Sequence, residues 1–188
     1  ISGQSASLAP ADKKIYALRD ITGTVEVPAL IAASIMSKKL ASGADRLLLD
    51  ITVGSGAFNK DKAAGLALGE IMLDIAERAG KKTVALLTDM DEPLGFAIGN
   101  TVELIEAFET LKGQGPTDLT ERCIAMAGEM LYLAGKGNIA DCCAEAKQAI
   151  TGGAGLRKLK EIIASQGGDP LVCDDYSRLA SGRDVGVF

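Results

Sequence analysis

Two short apolar runs decide most of what this chain can fold into: residues 46–53 (RLLLDITV) and 82–87 (KTVALL). The first is followed at once by Gly-Ser-Gly, as a strand-to-helix turn would be, and both have the length and composition of buried strands. Between them, from about Lys60 to Ala79, Leu66, Ile71, Leu73 and Ile75 are available for burial on a long helix, which Gly80 ends. Strand, helix, strand in this order predicts a βαβ unit with a parallel pair. The fold class is therefore α/β. A parallel pair normally has further strands beside it and cover on both faces. No other stretch reads as a convincing strand, so the expected sheet is partial, with its missing strands supplied from upstream or by a partner. Ile1 in place of Met, and a last few residues (Asp184 to Phe188) that resemble the start of another element, also lead us to expect a piece of a longer protein.

The remainder reads as loops and helices. Residues 1–9 form an expected connecting loop. Pro10 suits a first helical turn, and Ile15, Leu18 and Ile21 follow at helical spacing until Gly23 interrupts. Pro28 opens a second helix to about Ala41, stopped by Gly43. After the second strand a loop from Thr88 to Gly99 precedes helices at about 101–111, 119–134, 139–150 and 156–165. Asp118 and Asn138 are the expected N-caps. From Gly167 no period is visible.

Composition narrows the function. Apolar residues make up 47% and charged residues 24% of 188, and the net charge is −5, which argues against nucleic-acid binding through broad phosphate neutralisation. No apolar run reaches the length of a membrane span, and no signal peptide is recognisable. With no histidine in the chain, Ser-His-Asp, Cys-His and His-metal chemistry cannot be assembled from it alone. Cys123, Cys142, Cys143 and Cys173 lack metal-ligand spacing; the adjacent pair looks like helix packing, and a reducing, cytoplasmic setting is expected.

The stretch from Tyr16 to Lys38 carries the candidate site. Tyr16 and Arg19 are three apart and Ser34 and Lys38 four apart, so each pair shares a helix face. Two facing helices would direct a guanidinium, a hydroxyl and an ammonium at one small polar ligand, with Leu30, Ile31, Ile35 and Met36 as apolar walls. A solvated helix face is the alternative, and Lys39 beside Lys38 favours it. The Gly54–Phe58 loop lies where ligands enter parallel sheets, and Phe58 could cover a ring. It contains neither GxGxxG nor a GK[ST] sequel, and a plain turn would look similar. The loop from Asp89 to Asn100, with Glu106, offers oxygen ligands for a hard cation, against an ordinary loop. Asp50, Asp89 and Asp91 could suggest paired carboxylates, but nothing in the sequence fixes their separation.

These blocks carry a resemblance. YALRDITGTV, the SIMSKK of the second helix, LLLDITVGSGAF and KTVALLTDMDEPLGFAIGN resemble the thymidine phosphorylase and pyrimidine-nucleoside phosphorylase family, as do GQSASLAPADKK and ASQGGDP, in order along nearly the whole chain. The resemblance implies a nucleoside phosphorylase/phosphoribosyltransferase-like fold. Residues 10–42 would be part of a small all-helical lobe that also makes a homodimer contact. Residues 43–173 would belong to the α/β lobe, and 174–188 would lead toward a C-terminal domain. It implies reversible phosphorolysis of thymidine, uridine or deoxyuridine to the free base and a pentose 1-phosphate. Arg19, Ser34 and Lys38 match the base-binding residues, and Tyr16, Ile31 and Phe58 match residues shaping the base pocket. A potassium ion is implied at Leu94 and Ala97, through carbonyl oxygens, and at the Glu106 carboxylate. Phosphate is the implied co-substrate, but the family's phosphate-binding residues and its histidine fall upstream of Ile1, so the isolated chain is expected to be inactive.

The chain departs from the family's usual residues at Gly23, Pro28 and Asn59, none of them a polar base ligand. An anthranilate phosphoribosyltransferase-like enzyme shares the two-lobe fold but not the Arg19, Ser34, Lys38 set. A non-enzymatic helical binding module is the further alternative.

Overall fold

The two apolar runs form β1 (Arg46–Val53) and β2 (Lys82–Asp89), paired in parallel from Arg46 opposite Lys82 to Val53 opposite Asp89, in a computed structural model that describes residues 7–179. The start of the expected connecting loop (1–6) and the end of the expected tail (180–188) lie outside the described residues. Ahead of the pair come helices α1 (Pro10–Thr22) and α2 (Pro28–Ala41), and between the strands α3 (Lys62–Arg78). After it come α4 (Asn100–Leu111), α5 (Thr117–Leu133), α6 (Ile139–Thr151) and α7 (Ala154–Ser165). Two short 3-10 turns, Pro170–Cys173 and Tyr176–Arg178, occupy the stretch without a visible period.

The chain divides into two compact units. One runs to Pro93 and takes in Glu129–Gly137; the other holds Leu94–Gly128 and the described residues from Asn138 onward.

In the first unit, Ala32 and Met36 of α2, Leu47 and Leu49 of β1, and Leu68, Met72 and Ala76 of α3 form one buried cluster. β1 alternates, with Leu47, Leu49, Ile51 and Val53 buried and Asp50 exposed. β2 is less covered than its apolar sequence predicts. Its six inner residues are half-buried, because among the described residues the sheet has two strands and β2 has no neighbour on its outer edge.

The buried face of α3 also differs from expectation. Leu66 is 53% exposed, and Gly65, Leu68, Gly69, Met72 and Ala76 face inward. The reason is close approach: a Cβ on Gly65 would run into the Val53 side chain, and one on Gly69 would lie 3.0 Å from Ile51 Cδ1. A mid-helix glycine costs about 1 kcal/mol against alanine; here it lets the helix backbone lie directly on β1.

In the second unit, Asn138 caps α6 as expected, its side chain accepting from the Asp141 N–H at 2.9 Å. Asp118 is not a cap, since α5 begins one residue earlier and this carboxylate turns to the Gly95 N–H at 2.9 Å. Cys142 is buried, and Cys143 lies against Gly128, so the adjacent cysteines pack helices as expected.

Candidate functional site

α1 ends by turning back on itself. Gly23 takes a left-handed conformation (φ 66°), and the Thr24 N–H bonds to the Arg19 carbonyl at 3.0 Å. The chain that follows is thereby folded over the Arg19 side chain, which is 4% exposed. Its guanidinium donates to the carbonyls of Thr24 (3.3 Å), Leu30 (3.2 Å) and Val25, and stands 5.3 Å from the Tyr16 ring centroid. Three of the five guanidinium N–H groups are engaged this way. The acceptors are neutral, so they fix the charge in place without cancelling it.

On α2, Ser34 is buried and Lys38 half-buried while Lys39 is exposed; the adjacent lysines therefore do not share the solvated face that the sequence alone allows. The Lys38 ammonium donates to Ser34 Oγ at 3.0 Å and to Asp12 Oδ2 at 2.6 Å. Asp12 was not legible as a site residue. The available signal was its place on α1, four residues before Tyr16 and seven before Arg19, on the same face. Burial alone would raise the Asp12 carboxyl. Hydrogen bonds from Lys38 and Ser34, with the charges of Lys38 and Arg19, outweigh it and hold the pKa below the usual carboxylate value. The stabilisation that Asp12 contributes is thus present above the ordinary carboxylate range and is lost as pH falls through the depressed value.

Tyr16, Arg19, Val25, Ile31, Ser34, Ile35, Lys38 and Phe58 line one pocket of ≈ 250 Å³. All six expected base-site residues meet there. Two expected walls do not: Met36 turns into the core cluster, and Leu30 is present at Arg19 through its carbonyl. The volume lies just under the ~300 Å³ at which pockets for drug-sized ligands begin, which suits a single ring. A second hollow of ≈ 400 Å³ shares Ile31, Ile35 and Phe58 and continues along β1 past Asp50 and Thr52 to Asn59.

The Gly54–Phe58 loop has a structural explanation in place of ligand approach. The Gly56 N–H bonds to the Met90 carbonyl (3.0 Å), the Met90 N–H to the Val53 carbonyl (2.8 Å) and the Ser55 N–H to Asp91 Oδ1 (2.7 Å). A Cβ on Gly54 would lie 2.7 Å from Asp91 Oδ1 and 2.8 Å from its nitrogen. The glycines therefore serve the seam between the two loops that follow β1 and β2. Phe58, 71% exposed, is carried on that seam to the pocket. The three aspartates hold structure: Asp50 accepts from Thr88, Asp89 from the Asp91 N–H at 2.8 Å, and Asp91 from Ser55.

In the second unit, the loop of Leu94 and Ala97 is tied down by carboxylates. Glu106 Oε1 accepts from the N–H groups of Phe96 (2.9 Å) and Ala97 (3.1 Å), and Glu103 Oε1 accepts from Gly99 (2.9 Å). The Gly95 and Leu119 N–H groups hold the Asp118 carboxyl below its usual value. The expected ligands Leu94, Ala97 and Glu106 offer the oxygen-only donor type that suits a hard cation, but the groups the structure brings to Glu106 Oε1 are the N–H groups of Phe96 and Ala97. Glu106 already has two N–H partners on one oxygen. Among the described residues no group of three or more His, Cys, Asp or Glu side chains converges as a metal site.

Residues 1–156 match the glycosyl transferase family, a/b domain. The chain belongs to this family. It is also similar to the pyrimidine-nucleoside phosphorylase of Geobacillus stearothermophilus, at 48% identity over 186 residues covering 98% of this chain and 43% of that protein. Against the pyrimidine-nucleoside phosphorylases of Staphylococcus aureus strains RF122 / ET3-1 and USA300 the identity is 51% over 187 residues, 97% of this chain and 42% of each relative. The chain thus spans about two-fifths of the length of the curated relatives it matches. For this glycosyl transferase family domain the α/β class expected from the two apolar runs holds. No described helix is long and apolar enough to cross a membrane.

Proposed function

We propose that this chain is the base-binding part of a pyrimidine-nucleoside phosphorylase. The observation that carries the proposal is the single ring-sized pocket where Arg19, Ser34 and Lys38 meet Tyr16, Ile31 and Phe58; the similarity to named phosphorylases supports it. The pyrimidine edge offers acceptor, donor and acceptor in one plane. Arg19 and Lys38 donate to its oxygens, Ser34 fixes orientation, and Phe58 lies toward the ring. When the glycosidic bond breaks, the base departs with negative charge and the sugar becomes cation-like. Two cationic donors already in place stabilise that charge as it develops, which favours the transition state over bound substrate. Phosphate, the co-substrate, attacks the sugar as the base leaves. Residues 10–42 are the helical-lobe part of this arrangement.

The test is direct. The whole protein carrying this chain is expected to release uracil from uridine and thymine from thymidine only with phosphate, giving a pentose 1-phosphate, while the 188-residue chain alone releases neither. Release without phosphate, or none by the whole protein, contradicts the assignment.

Two partners belong to the same proposal. The Leu94 and Ala97 carbonyls and the Glu106 carboxylate would hold potassium, which would add positive charge to a loop already tied by Glu106. Potassium chloride is then expected to raise the melting midpoint of the chain above that in sodium chloride of equal ionic strength, and Glu106→Gln to abolish the difference; equal midpoints in wild type remove the ion. A homodimer forms through α1, whose Ile15, Leu18 and Ile21 are 52%, 60% and 84% exposed. Sedimentation of the whole protein as a monomer at micromolar concentration would exclude it. The setting we propose is cytoplasmic.

A further inference from the structure

The Arg19, Ser34, Lys38 set contains a fourth member that its spacing does not reveal. Asp12 stands behind the pocket, its side chain 10% exposed, with Oδ2 at 2.6 Å from the Lys38 ammonium, which is itself 3.0 Å from Ser34 Oγ. Among the described residues, the charged side chains that line the pocket are Arg19 and Lys38, and Lys38 is paired with the Asp12 carboxylate. The partners of Arg19 given above are neutral carbonyls, so Asp12 is the anion that offsets one of the two cations. These three side chains sum to +1, equal and opposite to a pyrimidine leaving as a singly charged anion.

We infer that Asp12 is a positioning residue that aims the Lys38 ammonium along the Ser34 side of the pocket and sets the pocket's charge at one positive. The inference rests on the base-site assignment above. With no carboxylate the pocket would hold two cations. It would bind anions too well before reaction and release the base too slowly after it. With the carboxylate in place, the ammonium is held in one direction and only one charge remains to be met by the departing ring. Both consequences follow from the short ion pair and from low dielectric around buried charge.

Calorimetric titration of the whole protein with uracil and with 5-nitrouracil tests this. At neutral pH the first is neutral and the second, with a nitro group on the same ring, is ionised, so the change in their ratio between wild type and variant reports charge. Asp12→Asn keeps the side chain's size and removes its charge. It is expected to weaken uracil and strengthen 5-nitrouracil, moving the ratio of their dissociation constants by about tenfold or more. Asp12→Glu restores the charge and is expected to keep the ratio within about threefold of wild type, a result readable even if the asparagine variant does not fold. Equal loss for both ligands in Asp12→Asn, no change in either, or a tenfold shift in Asp12→Glu overturns the inference and leaves the base site standing. A wild-type protein that binds neither ligand overturns the base-site assignment itself, and the inference with it.

Discussion

On the proposed function, Arg19→Ala is expected to lower kcat/KM for pyrimidine-nucleoside phosphorolysis by about 10²–10³-fold in the whole protein, the size of effect seen when one preorganised donor to a developing anion is removed. The structure gives the reason in two parts. The guanidinium is already oriented by the carbonyls of Thr24, Val25 and Leu30, so no reorganisation is needed as charge develops. Its acceptors are neutral, so its positive charge stays available to the ring. The same contacts bring a stability cost. Alanine leaves these carbonyls without their donor, at about 1–3 kcal/mol for each that stays dry, and loosens the turn at Gly23 that shapes the pocket. Arg19→Lys separates the two effects. It keeps a positive charge but cannot reach three carbonyls and a ligand from one planar fork, so it should fold better than the alanine variant and still lose most of the rate. A near-normal rate for Arg19→Lys would show that charge alone suffices; a near-normal rate for Arg19→Ala would remove Arg19 from the site.

The largest stability effect is expected at Phe108. Its side chain on α4 is fully buried, and its ring stacks on Tyr176 at 6.1 Å between centroids. Phe108→Ala should destabilise the second unit by about 3–5 kcal/mol, read as a lowered urea midpoint. The residue holds more than a cavity closed. The Tyr176 hydroxyl donates to Glu109, and the Lys112 ammonium reaches that hydroxyl at 2.6 Å and Glu109 Oε1 at 3.0 Å, above the same ring at 4.7 Å. The Tyr176 hydroxyl first, and Lys112 next, hold the Glu109 carboxyl below its usual range. Removing the Phe108 ring takes away the surface that orients this clasp. Tyr176→Phe, which keeps the stack and loses the hydroxyl, should cost clearly less. An equal cost would place the stabilisation in the polar clasp instead of the aromatic stack.

What the sequence disclosed, and what it hid, follows from the range of each interaction. β1, α3 and β2 were legible because burial is written into runs of leucine, isoleucine and valine with glycine at their ends. Of the eight lining residues, Tyr16, Arg19, Ser34 and Lys38 were legible as helix-face pairs, Ile31 and Ile35 as apolar walls and Phe58 as part of a family pattern; Val25 was not legible. The inward face of α3 was misread at Leu66, because tertiary contact selected the small side of the helix: a side chain at Gly65 or Gly69 would run into Val53 or Ile51, so only the small side lets the helix lie on β1. Asp12 was hidden because its partner lies 26 residues away on another helix. Asp118 looked like a cap because caps are local signals, yet its carboxylate is used 23 residues away at Gly95. Gly54 and Gly56 could be read as a ligand-approach turn or a plain one, and only the position of Met90 and Asp91 shows that they make room for protein backbone.

A crystal structure of the whole protein with uracil bound tests the base site most directly. The ring is expected within the pocket of Tyr16, Ile31 and Phe58, with its oxygens at hydrogen-bond distance from Arg19 and Lys38, Ser34 Oγ on the same edge, and Asp12 still paired with Lys38. Uracil bound anywhere else, with Arg19 and Lys38 making no contact to it, would contradict the assignment.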